Sequence, residues 1–434
     1  MNAAFTINNA GVHESLLDPV PAGSTASEDG FVRVDLDIAD GRIAAVRRRA
    51  GQPAGGGDID LREGQVWPCF VDLHAHLDKG HVWPRCPNPD GSFRGALTAV
   101  AADREACWTR DDVRRRMEFG LRCAWAHGTR AIRTHLDSHW SRADESWAAA
   151  VDLREAWAGR IDLQLVGFAP LEIFGGPRGE ALADRVARAR GVLGAVAQTV
   201  TTELDALLDR LLALAKERDL EIDFHCDESS DGACFTLPRI AAAVLRTGFE
   251  RQVLCGHCTT LALQPSAEAD AAMELVKRAG IAVVSLPLTN VYLQDRQAGR
   301  TPRWRGVTLL HELEALGIPV ALAGDNCRDP FFAFGDHDML EAFREGVRIA
   351  HLDRPYARWP RAVTATPSGL MGLGASGMIA AGQPADLILF GARDFSELLA
   401  RPQSDRRVLR GGAPIDTTLP DYRDLDDLMR RTTP

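Results

Sequence analysis

The sequence predicts an α/β fold, a (β/α)₈ TIM barrel with a small β-sandwich domain formed from the N- and C-terminal segments. Eight apolar, strand-like runs alternate with helix-compatible stretches over the middle of the chain. The 434 residues are enough for a barrel of ~250 residues with additions. Strand-like patterns return at both ends of the chain. An open doubly wound sheet fits less well, because no glycine-rich phosphate loop follows the first strand of the series.

The first segment, residues 1–67, has the pattern of strands and turns. Phe31–Ile38 alternates apolar and polar residues, and Asp40-Gly41 provides a tight turn into Arg42–Val46. Gly51–Gly57 is a loop rich in glycine and proline. We assign residues 1–67 to the first part of the sandwich domain.

Residues 68–370 are assigned to the barrel. Apolar runs of strand length are followed by helix-compatible sequence, as in Thr202–Arg218 and Ala267–Ala279. The predicted barrel strands are Val66–Leu73, Ala131–His135, Asp162–Phe168, Gly191–Val196, Glu221–His225, Gln252–Gly256, Ala282–Leu286 and Val320–Ala323. In such a barrel the reactive residues lie at the C-terminal ends of the strands.

Residues 371–434 return to strand-like sequence. Gly382–Phe390 is a turn followed by an apolar strand, and Arg407–Gly412 is a strand followed by a turn. Because strand segments flank the barrel on both sides, we expect the two ends of the chain to pack together as one small domain.

The composition argues against several classes of protein. A formal net charge of -10 without a basic run argues against nucleic acid as a partner. No apolar run reaches the ~20 residues that a membrane helix needs, and Met1–Asn9 lacks the pattern of a signal peptide. Nine cysteines without regular spacing indicate reduced thiols. We therefore expect a cytoplasmic protein whose partner is a small molecule.

Polar residues collect at the predicted strand ends. His74 and His76 are one residue apart on the first strand, so they point to the same side of it. The other strand ends carry His135, Asp137, His225, Cys226, Asp227, Glu228, His257 and Asp325. In a barrel these residues converge on one mouth. Several imidazoles with one carboxylate suit Zn²⁺ or Fe²⁺ with an open position for water.

A lone histidine at a strand end is more often a hydrogen-bonded loop residue than a metal ligand. We give that interpretation to the histidines without a partner pattern, namely His127, His139, His311, His337 and His351. Four cysteines are interpreted as packing residues, namely Cys226, Cys255, Cys258 and Cys327. Metal binding is the favoured interpretation for four residues, because the same face of the barrel would carry all of them. They are His74, His76, His225 and Asp325.

These motifs resemble the amidohydrolase superfamily and, within it, the cytosine deaminase-like branch. The resemblance rests on the His-x-His strand, the His225–Glu228 run, His257 and Asp325. Further matching stretches are Arg133–Asp137, Leu288–Gln294, Asp325–Pro330 and Gly382–Leu387. The similarity covers the barrel and the C-terminal strand, which is most of the chain.

The resemblance implies one divalent metal ion, Zn²⁺ or Fe²⁺. The implied ligands are His74, His76, His225 and Asp325. Asp325 would also accept a proton from the activated water, Glu228 would be the proton shuttle, and His257 would hydrogen-bond the water or the developing oxyanion. Binuclear members of the superfamily bridge two metals through a lysine or glutamate at the end of strand four, and Gly191–Gln198 contains neither.

The implied reaction is hydrolytic deamination, in which a metal-activated water attacks a ring carbon that bears an exocyclic amine. The implied substrate is an amino-substituted N-heterocycle such as a cytosine-like pyrimidine or a pterin. Release of an alkylamine from a triazine, hydrolysis of a cyclic amide and a non-catalytic metal- or ligand-binding role stay open as alternatives. The resemblance also implies a homo-oligomer.

Candidate substrate contacts come from departures from cytosine deaminase. Pro170 stands where that enzyme has a glutamine that reads the pyrimidine amide edge, and proline cannot make that bond. Asn326 follows the metal-binding aspartate, as in the triazine branch. Phe168 and Phe331 are candidates for stacking on an aromatic ring. The loop after strand one adds residues that either close over a flat polar ring or only brace the loop: Lys79, Trp83 and Arg85.

Overall fold

In the computed structural model, residues 4–49, 55, 57–374 and 376–430 are described. The chain divides into two compact units. One comprises residues 1–72, 122–131 and 338–419, and the other comprises residues 73–121, 132–337 and 420–434. The domain boundaries expected at residues 67 and 370 stay a prediction, and most of the expected loop Gly51–Gly57 lies outside the described residues.

Strands and helices are numbered along the chain. The strands are β1 (Phe5–His13), β2 (Phe31–Ala39), β3 (Arg42–Arg48), β4 (Ile59–Asp60), β5 (Gln65–Pro68), β6 (Phe70–Ala75), β7 (Thr129–Asp137), β8 (Asp162–Pro170), β9 (Val192–Ala197), β10 (Ile222–Cys226), β11 (Val253–His257), β12 (Ala282–Ser285), β13 (Val320–Leu322), β14 (Leu387–Phe390), β15 (Arg407–Arg410) and β16 (Ala413–Pro414). The α-helices are α1 (Phe93–Cys107), α2 (Arg110–Ala126), α3 (Ala143–Ala156), α4 (Pro177–Arg188), α5 (Leu204–Glu217), α6 (Leu237–Thr247), α7 (Ser266–Arg278), α8 (Pro287–Leu293), α9 (Leu310–Ala315), α10 (Met339–Ala350), α11 (Ala365–Leu370), α12 (Phe395–Ala400) and α13 (Asp426–Met429). Among the described residues, no helix combines the length and the apolar character needed to cross a bilayer.

The N- and C-terminal segments form one mixed sheet with the strand order β16-β15-β14-β5-β1-β2-β3, and β4 pairs with β1. The hairpin expected at Asp40-Gly41 is confirmed, because β2 and β3 pair antiparallel and Gly41 has the positive φ of 76° that favours glycine. Strand β14 pairs with β5, so the C-terminal segment joins the N-terminal one. Trp67, Phe343 and Phe395 pack in this unit with ring centroids 5.5 to 6.2 Å apart.

One predicted barrel strand, Val66–Leu73, is in fact two strands that belong to different sheets. β5 pairs with β14 in the mixed sheet, whereas β6 is the first strand of the barrel. The pairing with β14 extends to Cys69, whose N–H donates to the Asp386 carbonyl, and the chain changes sheet at the next residue, because the Phe70 N–H donates to the Gly128 carbonyl just before β7. The uninterrupted apolar run predicted strand structure correctly, but it gave no indication of the residue at which the chain leaves one sheet and enters the other.

The second sheet is the eight-stranded barrel that the sequence predicts, with its strands in the chain order β6 to β13. The pairs from β8 to β13 are parallel. A parallel bridge between Ala75 and Asp325 connects β6 with the segment after β13. At this seam the Asp325 N–H donates to the His74 carbonyl at 2.8 Å, and the His76 N–H donates to the Asp325 carbonyl at 3.2 Å. The predicted fold class is therefore confirmed.

The seven other barrel strands begin and end within two residues of their predicted positions. This agreement follows from their pattern, because short apolar runs bounded by turn residues are typical of strands buried on both faces. The barrel places the polar residues at the ends of these strands at its C-terminal mouth, which is where active sites of barrel enzymes lie.

Candidate metal centre and active-site cavity

Three histidines and one aspartate meet at the C-terminal mouth of the barrel. His74 lies near the end of β6 and His76 follows that strand, while His225 comes from β10 and Asp325 follows β13. His225 Nε2 is 3.2 Å from His76 Nε2, and Asp325 Oδ1 is 3.4 Å from His76 Nε2 and 3.6 Å from His74 Nε2. All four side chains are buried. We call these four residues the mouth cluster.

The donors of the mouth cluster fit a divalent cation. Burial and then the charges of neighbouring groups hold the pKa of His74, His76 and His225 well below the usual value, so these rings are neutral at pH 7. Two neutral ring nitrogens 3.2 Å apart need a proton or a cation between them, because facing lone pairs repel. Neutral imidazole and carboxylate are ligands that Zn²⁺ and Fe²⁺ accept. The residues present are therefore able to hold a divalent metal.

A buried polar network lies behind the mouth cluster. His135 from β7 packs against His74 with ring centroids 3.9 Å apart, and its Nε2 is 3.2 Å from Asp223 Oδ1. Asp223 also accepts a hydrogen bond from Arg133 Nη1 at 3.1 Å. Sequence analysis gave Asp223 no role. Its signal is a carboxylate inside an apolar strand, two residues before His225 and therefore on the same face.

Glu228 and His257 lie side by side at the mouth. Glu228 Oε1 is 3.4 Å from His257 Nδ1, and the Asn290 side chain of α8 donates to His257 Nδ1 at 3.0 Å. That bond assigns the ring proton of His257 to Nε2, which is buried and has no hydrogen-bond partner among the described residues. His257 therefore presents a proton donor to any group that enters the mouth.

Burial shifts the pKa values of this pair in opposite directions. It raises the pKa of Glu228 well above the usual value, and the charge of Asp325 raises it further. It lowers the pKa of His257 to about 3. A carboxyl group with a raised pKa thus lies beside an imidazole with a lowered pKa, which is the arrangement expected of a general acid next to a hydrogen-bond donor.

The backbone at three of the strand ends is left-handed. Asp227, His257 and Asp325 have φ angles of 57°, 68° and 64°, in a region that residues other than glycine seldom occupy. Such conformations cost ~1–3 kcal/mol each and concentrate at functional sites. These three lie at the end of β11 or within three residues after β10 and β13.

A cavity of about 680 Å³ lies at the mouth, within the range of roughly 300–1,000 Å³ that is common for ligand pockets. Its polar lining includes His76, His225, Glu228, His257 and Asp325. An apolar wall comes from α1, with Phe93, Leu97, Val100 and Ala101. The cavity therefore combines a polar floor for chemistry with an apolar wall for a ring system.

Lys79 brings a positive charge to this cavity. Its Nζ lies 3.2 Å from Asp137 Oδ1, and it is 5.0 Å and 5.2 Å from the ring centroids of Phe168 and Phe331. Arg104 of α1 pairs with the same Asp137 carboxylate. Burial opposes ionisation of Asp137, but the charges of Lys79 and Arg104 outweigh it and hold the pKa of Asp137 below the usual value. Lys79 lines the cavity instead of only bracing its loop.

The structure places four predicted substrate contacts in the cavity lining, namely Phe168, Pro170, Asn326 and Phe331. One face of Phe168 is already covered, because its ring stacks on His225 with centroids 4.8 Å apart and an interplanar angle of 7°. Asn326 donates from Nδ2 to Asp329 Oδ2 at 2.7 Å, so part of its amide holds the loop. Their contacts with a substrate stay a prediction.

Trp83 and Arg85 are not among the lining residues of this cavity. Arg85 Nε donates to Asp103 Oδ1 at 2.8 Å, and the guanidinium also bonds both oxygens of Asp112. Two buried carboxylates neutralise this cation, and the Trp83 N–H donates to the Arg328 carbonyl at 2.8 Å. Of the two alternatives that the sequence left open for this loop, these contacts correspond to bracing.

Sequence analysis missed Gln198, which follows β9. Its Oε1 accepts the Glu228 N–H at 2.8 Å, and its buried Nε2 has no hydrogen-bond partner in the part of the chain that the structure describes. Gln198 lines the cavity next to Pro170 and Val196. Its signal is a polar side chain at the C-terminal end of a barrel strand.

The chain is similar to proteins of known activity. Residues 109–418 match the model of the amidohydrolase family. A pterin deaminase of Rhizobium rhizogenes (strain K84) is 51% identical over 429 residues, which cover 98% of this chain and 97% of the relative. An N-isopropylammelide isopropyl amidohydrolase of Pseudomonas sp. (strain ADP) is 27% identical over 345 residues, which cover 76% and 81%. The crystal structure of 5-methylcytosine deaminase from Klebsiella pneumoniae liganded with 5-fluorocytosine is 26% identical with a TM-score of 0.82, covering 95% and 97%.

Proposed function

The chain belongs to the amidohydrolase family and is a hydrolase of C–N bonds other than peptide bonds, and we propose that it releases ammonia from an amino-substituted N-heterocycle of the pterin class. The observation that carries this proposal is the Glu228–His257 pair beside the mouth cluster in one cavity. An amine leaves a ring carbon only after it is protonated, so a buried carboxyl at this point supplies what the reaction needs.

We assign one divalent cation, Zn²⁺ or Fe²⁺, to the mouth cluster. Its proposed ligands are His74, His76, His225 and Asp325. When bound, the cation lowers the pKa of a water molecule from about 16 toward about 7, so that hydroxide, a strong nucleophile, is available near neutral pH. Strand β9 has the sequence VLGAVA and offers neither lysine nor glutamate, which supports one metal rather than two.

The proton transfers are assigned to the side chains of the chain itself. Asp325 accepts a proton from the attacking water, and the Glu228 carboxyl donates its own proton to the ring nitrogen beside the attacked carbon. Glu228 next takes the hydroxyl proton of the tetrahedral intermediate and gives it to the amine, which leaves as ammonia. Asp325 then returns its proton to Glu228, so water and aminoheterocycle give oxoheterocycle and ammonia with both carboxyl groups restored. His257 donates from Nε2 to the oxygen that develops negative charge at the attacked carbon.

A pterin is favoured over cytosine for three reasons. The relative that is 51% identical is a pterin deaminase. Pro170 stands where cytosine deaminase has the glutamine that reads its one-ring substrate. The cavity of about 680 Å³ leaves room for a second fused ring beside its apolar wall. We assign the free amide donor of Gln198, Nε2, to the ring carbonyl of such a substrate.

Release of an alkylamine from an N-alkyl triazine is the second candidate. The relative that is 27% identical is an N-isopropylammelide isopropyl amidohydrolase, and Asn326 matches the triazine branch in the sequence. It ranks second because that relative is more distant and because the Asn326 amide is held by Asp329.

The test is amine release by the full chain loaded with Zn²⁺ or Fe²⁺ on a panel of a pterin, cytosine, an N-alkyl aminotriazine and a cyclic amide. We expect ammonia from the pterin at the highest kcat/KM. Alkylamine from the triazine alone would favour the second candidate, and ring opening of the cyclic amide without ammonia would favour a cyclic amide hydrolase. No turnover of any compound by metal-loaded protein would contradict the deaminase assignment.

A further inference from the structure

A second group of metal-ligating side chains lies in the loops that follow β6 and β13. His81, Cys327 and His337 each offer one ligand atom, and the three atoms lie within 4.8 Å of one another. These side chains are 2%, 3% and 8% exposed. We call the three residues the loop cluster. The proposed deamination uses none of them.

The spacing of the loop cluster matches that of the mouth cluster. The rings of His81 and His337 have centroids 5.5 Å apart, close to the 5.3 Å and 5.2 Å that separate His76 from His74 and His225. Both ring nitrogens of His81 are buried, and neither has a hydrogen-bond partner among the described residues. An unsatisfied buried polar group is costly, and a bond to a metal removes that cost for one nitrogen.

The donor types of the loop cluster suit zinc. Of the two guanidinium groups that act electrostatically on His81, those of Arg116 and Arg328, one is neutralised by a carboxylate. Arg116 is already paired with Asp112 through bonds of 2.8 and 2.9 Å. Thiolate and imidazole donors together select Zn²⁺ over Mg²⁺ or Ca²⁺.

The loop cluster lies where the barrel closes. The His81 N–H donates to the Cys327 carbonyl at 3.1 Å, so the two loops are already joined through the main chain. Cys327 comes two residues after Asp325, and His81 comes five residues after His76. Fixing these loops therefore fixes the segments that carry ligands of the mouth cluster at the Ala75–Asp325 seam.

The neighbouring helix leaves space for one of the imidazoles. Gly120 lies on α2, and a Cβ at this position would come within 2.8 Å of His337 Nε2. The ring of Phe119, the residue before it, contacts His81 with centroids 4.8 Å apart. The absence of a side chain at Gly120 thus admits His337 to the cluster.

We propose that His81, Cys327 and His337 bind a structural Zn²⁺ ion that clips the loop after β6 to the loop after β13. On binding, the Cys327 thiol releases its proton to solvent, and the sulfur and two imidazole nitrogens each donate a lone pair to the ion. The site is independent of the deaminase proposal, because it involves neither the mouth cluster nor a substrate.

The experiment uses Co²⁺ as a spectroscopic probe on the purified full chain. The protein is stripped with a chelator, reloaded with Co²⁺ and freed of excess metal by gel filtration. We expect about two equivalents of Co²⁺ per chain, together with the intense near-ultraviolet absorption of a cobalt–thiolate bond. The mouth cluster contains no sulfur, so this absorption reports on the loop cluster alone.

Substitutions then identify which residues bind the Co²⁺ ion that gives the thiolate absorption band. Cys327→Ser and His81→Asn are each expected to lose about one equivalent of Co²⁺ and the thiolate band. Cys107→Ser, which removes a thiol outside both clusters, should keep both. His225→Asn should lose the other equivalent and keep the band. The proposal is overturned if the wild-type chain binds at most one equivalent without the band, or if the band survives in Cys327→Ser. Since the wild-type spectrum needs no variant, poor folding of a variant does not prevent a decision.

Discussion

The two histidine clusters of the barrel lie in neighbouring loops but differ in their donors and surroundings. The mouth cluster combines imidazoles with the carboxylate of Asp325 and opens on a cavity of about 680 Å³. The loop cluster has the thiol of Cys327 in place of the carboxylate, and its three side chains are buried. A cluster that opens on a cavity can admit water and a substrate to a bound metal, whereas the buried loop cluster is not part of the lining of that cavity.

Ligand type alone does not separate a catalytic site from a structural one. What separates them is the neighbouring chemistry: Glu228 and His257 stand beside the mouth cluster, whereas guanidinium and aromatic groups surround the loop cluster. Changes at the mouth cluster should therefore affect turnover, and changes at the loop cluster should affect stability.

The largest expected effect is on turnover by Glu228→Gln. The amide keeps the shape of the side chain but cannot transfer a proton, so kcat should fall by about 10²–10⁴-fold. Metal content at the mouth cluster should be unchanged, because Glu228 is not a proposed ligand. Steady-state ammonia release and elemental analysis measure the two quantities. Glu250→Gln, at an exposed position, is the matched control, and equal losses in both variants would contradict the shuttle role.

The next effect is on stability, through Cys327→Ser. Zinc at 100 times its dissociation constant stabilises a protein by about 2.7 kcal/mol. The melting temperature of the wild-type chain should rise with added Zn²⁺, and the part of this rise that comes from the loop cluster should vanish in the variant. Its kcat should change far less than in Glu228→Gln. A variant that melts normally but has lost turnover would reverse the roles that we give to the two clusters.

A smaller effect is expected for Gln198→Glu. The carboxylate keeps an acceptor for the Glu228 N–H but loses the amide donor that we assign to the substrate. A buried carbonyl left without its donor costs ~1–3 kcal/mol, so kcat/KM for the pterin should fall about tenfold or more. Gln264→Glu is the control, since its amide bonds the Gly232 carbonyl in an exposed loop. An unchanged kcat/KM would remove Gln198 from substrate recognition.

A pH-dependent effect is expected on the acid stability of the metal-free chain. The pKa of His257 falls from 6.5 to about 3 on folding, so the unfolded chain binds a proton there that the folded chain does not. This contribution to stability is complete above pH 6.5 and is lost as the pH falls toward about 3. His257→Asn should therefore show a shallower loss of stability with acid than the wild type in chemical denaturation at several pH values. A parallel decline in the two proteins would argue against a neutral, buried His257.

The barrel strands were predictable from the sequence because a strand buried on both faces is a local apolar run. The one wrong assignment, Val66–Leu73, has a local pattern too, but the change of sheet after Cys69 depends on distant partners, the Asp386 carbonyl for Cys69 and the Gly128 carbonyl for Phe70. The shared direction of the His74 and His76 side chains was predictable for the same local reason, since residues two apart on a strand point to the same side. The role of Arg85, in substrate binding or in bracing its loop, was ambiguous in the sequence because its partners, Asp103 and Asp112, lie in two helices further along the chain.

Sequence patterns alone were enough to predict the barrel and the convergence of its polar strand ends, because backbone geometry translates spacing directly into side-chain direction. The amidohydrolase family followed from the resemblance of the motifs. Tertiary structure alone decided which charges neutralise each other and which side chains stay open to the cavity. It placed Lys79 against Asp137, gave Glu228 its raised pKa, and brought His81 and His337 to Cys327. Burial and pairing are set by distances through space between loops far apart in the chain, and local sequence patterns carry no record of those distances.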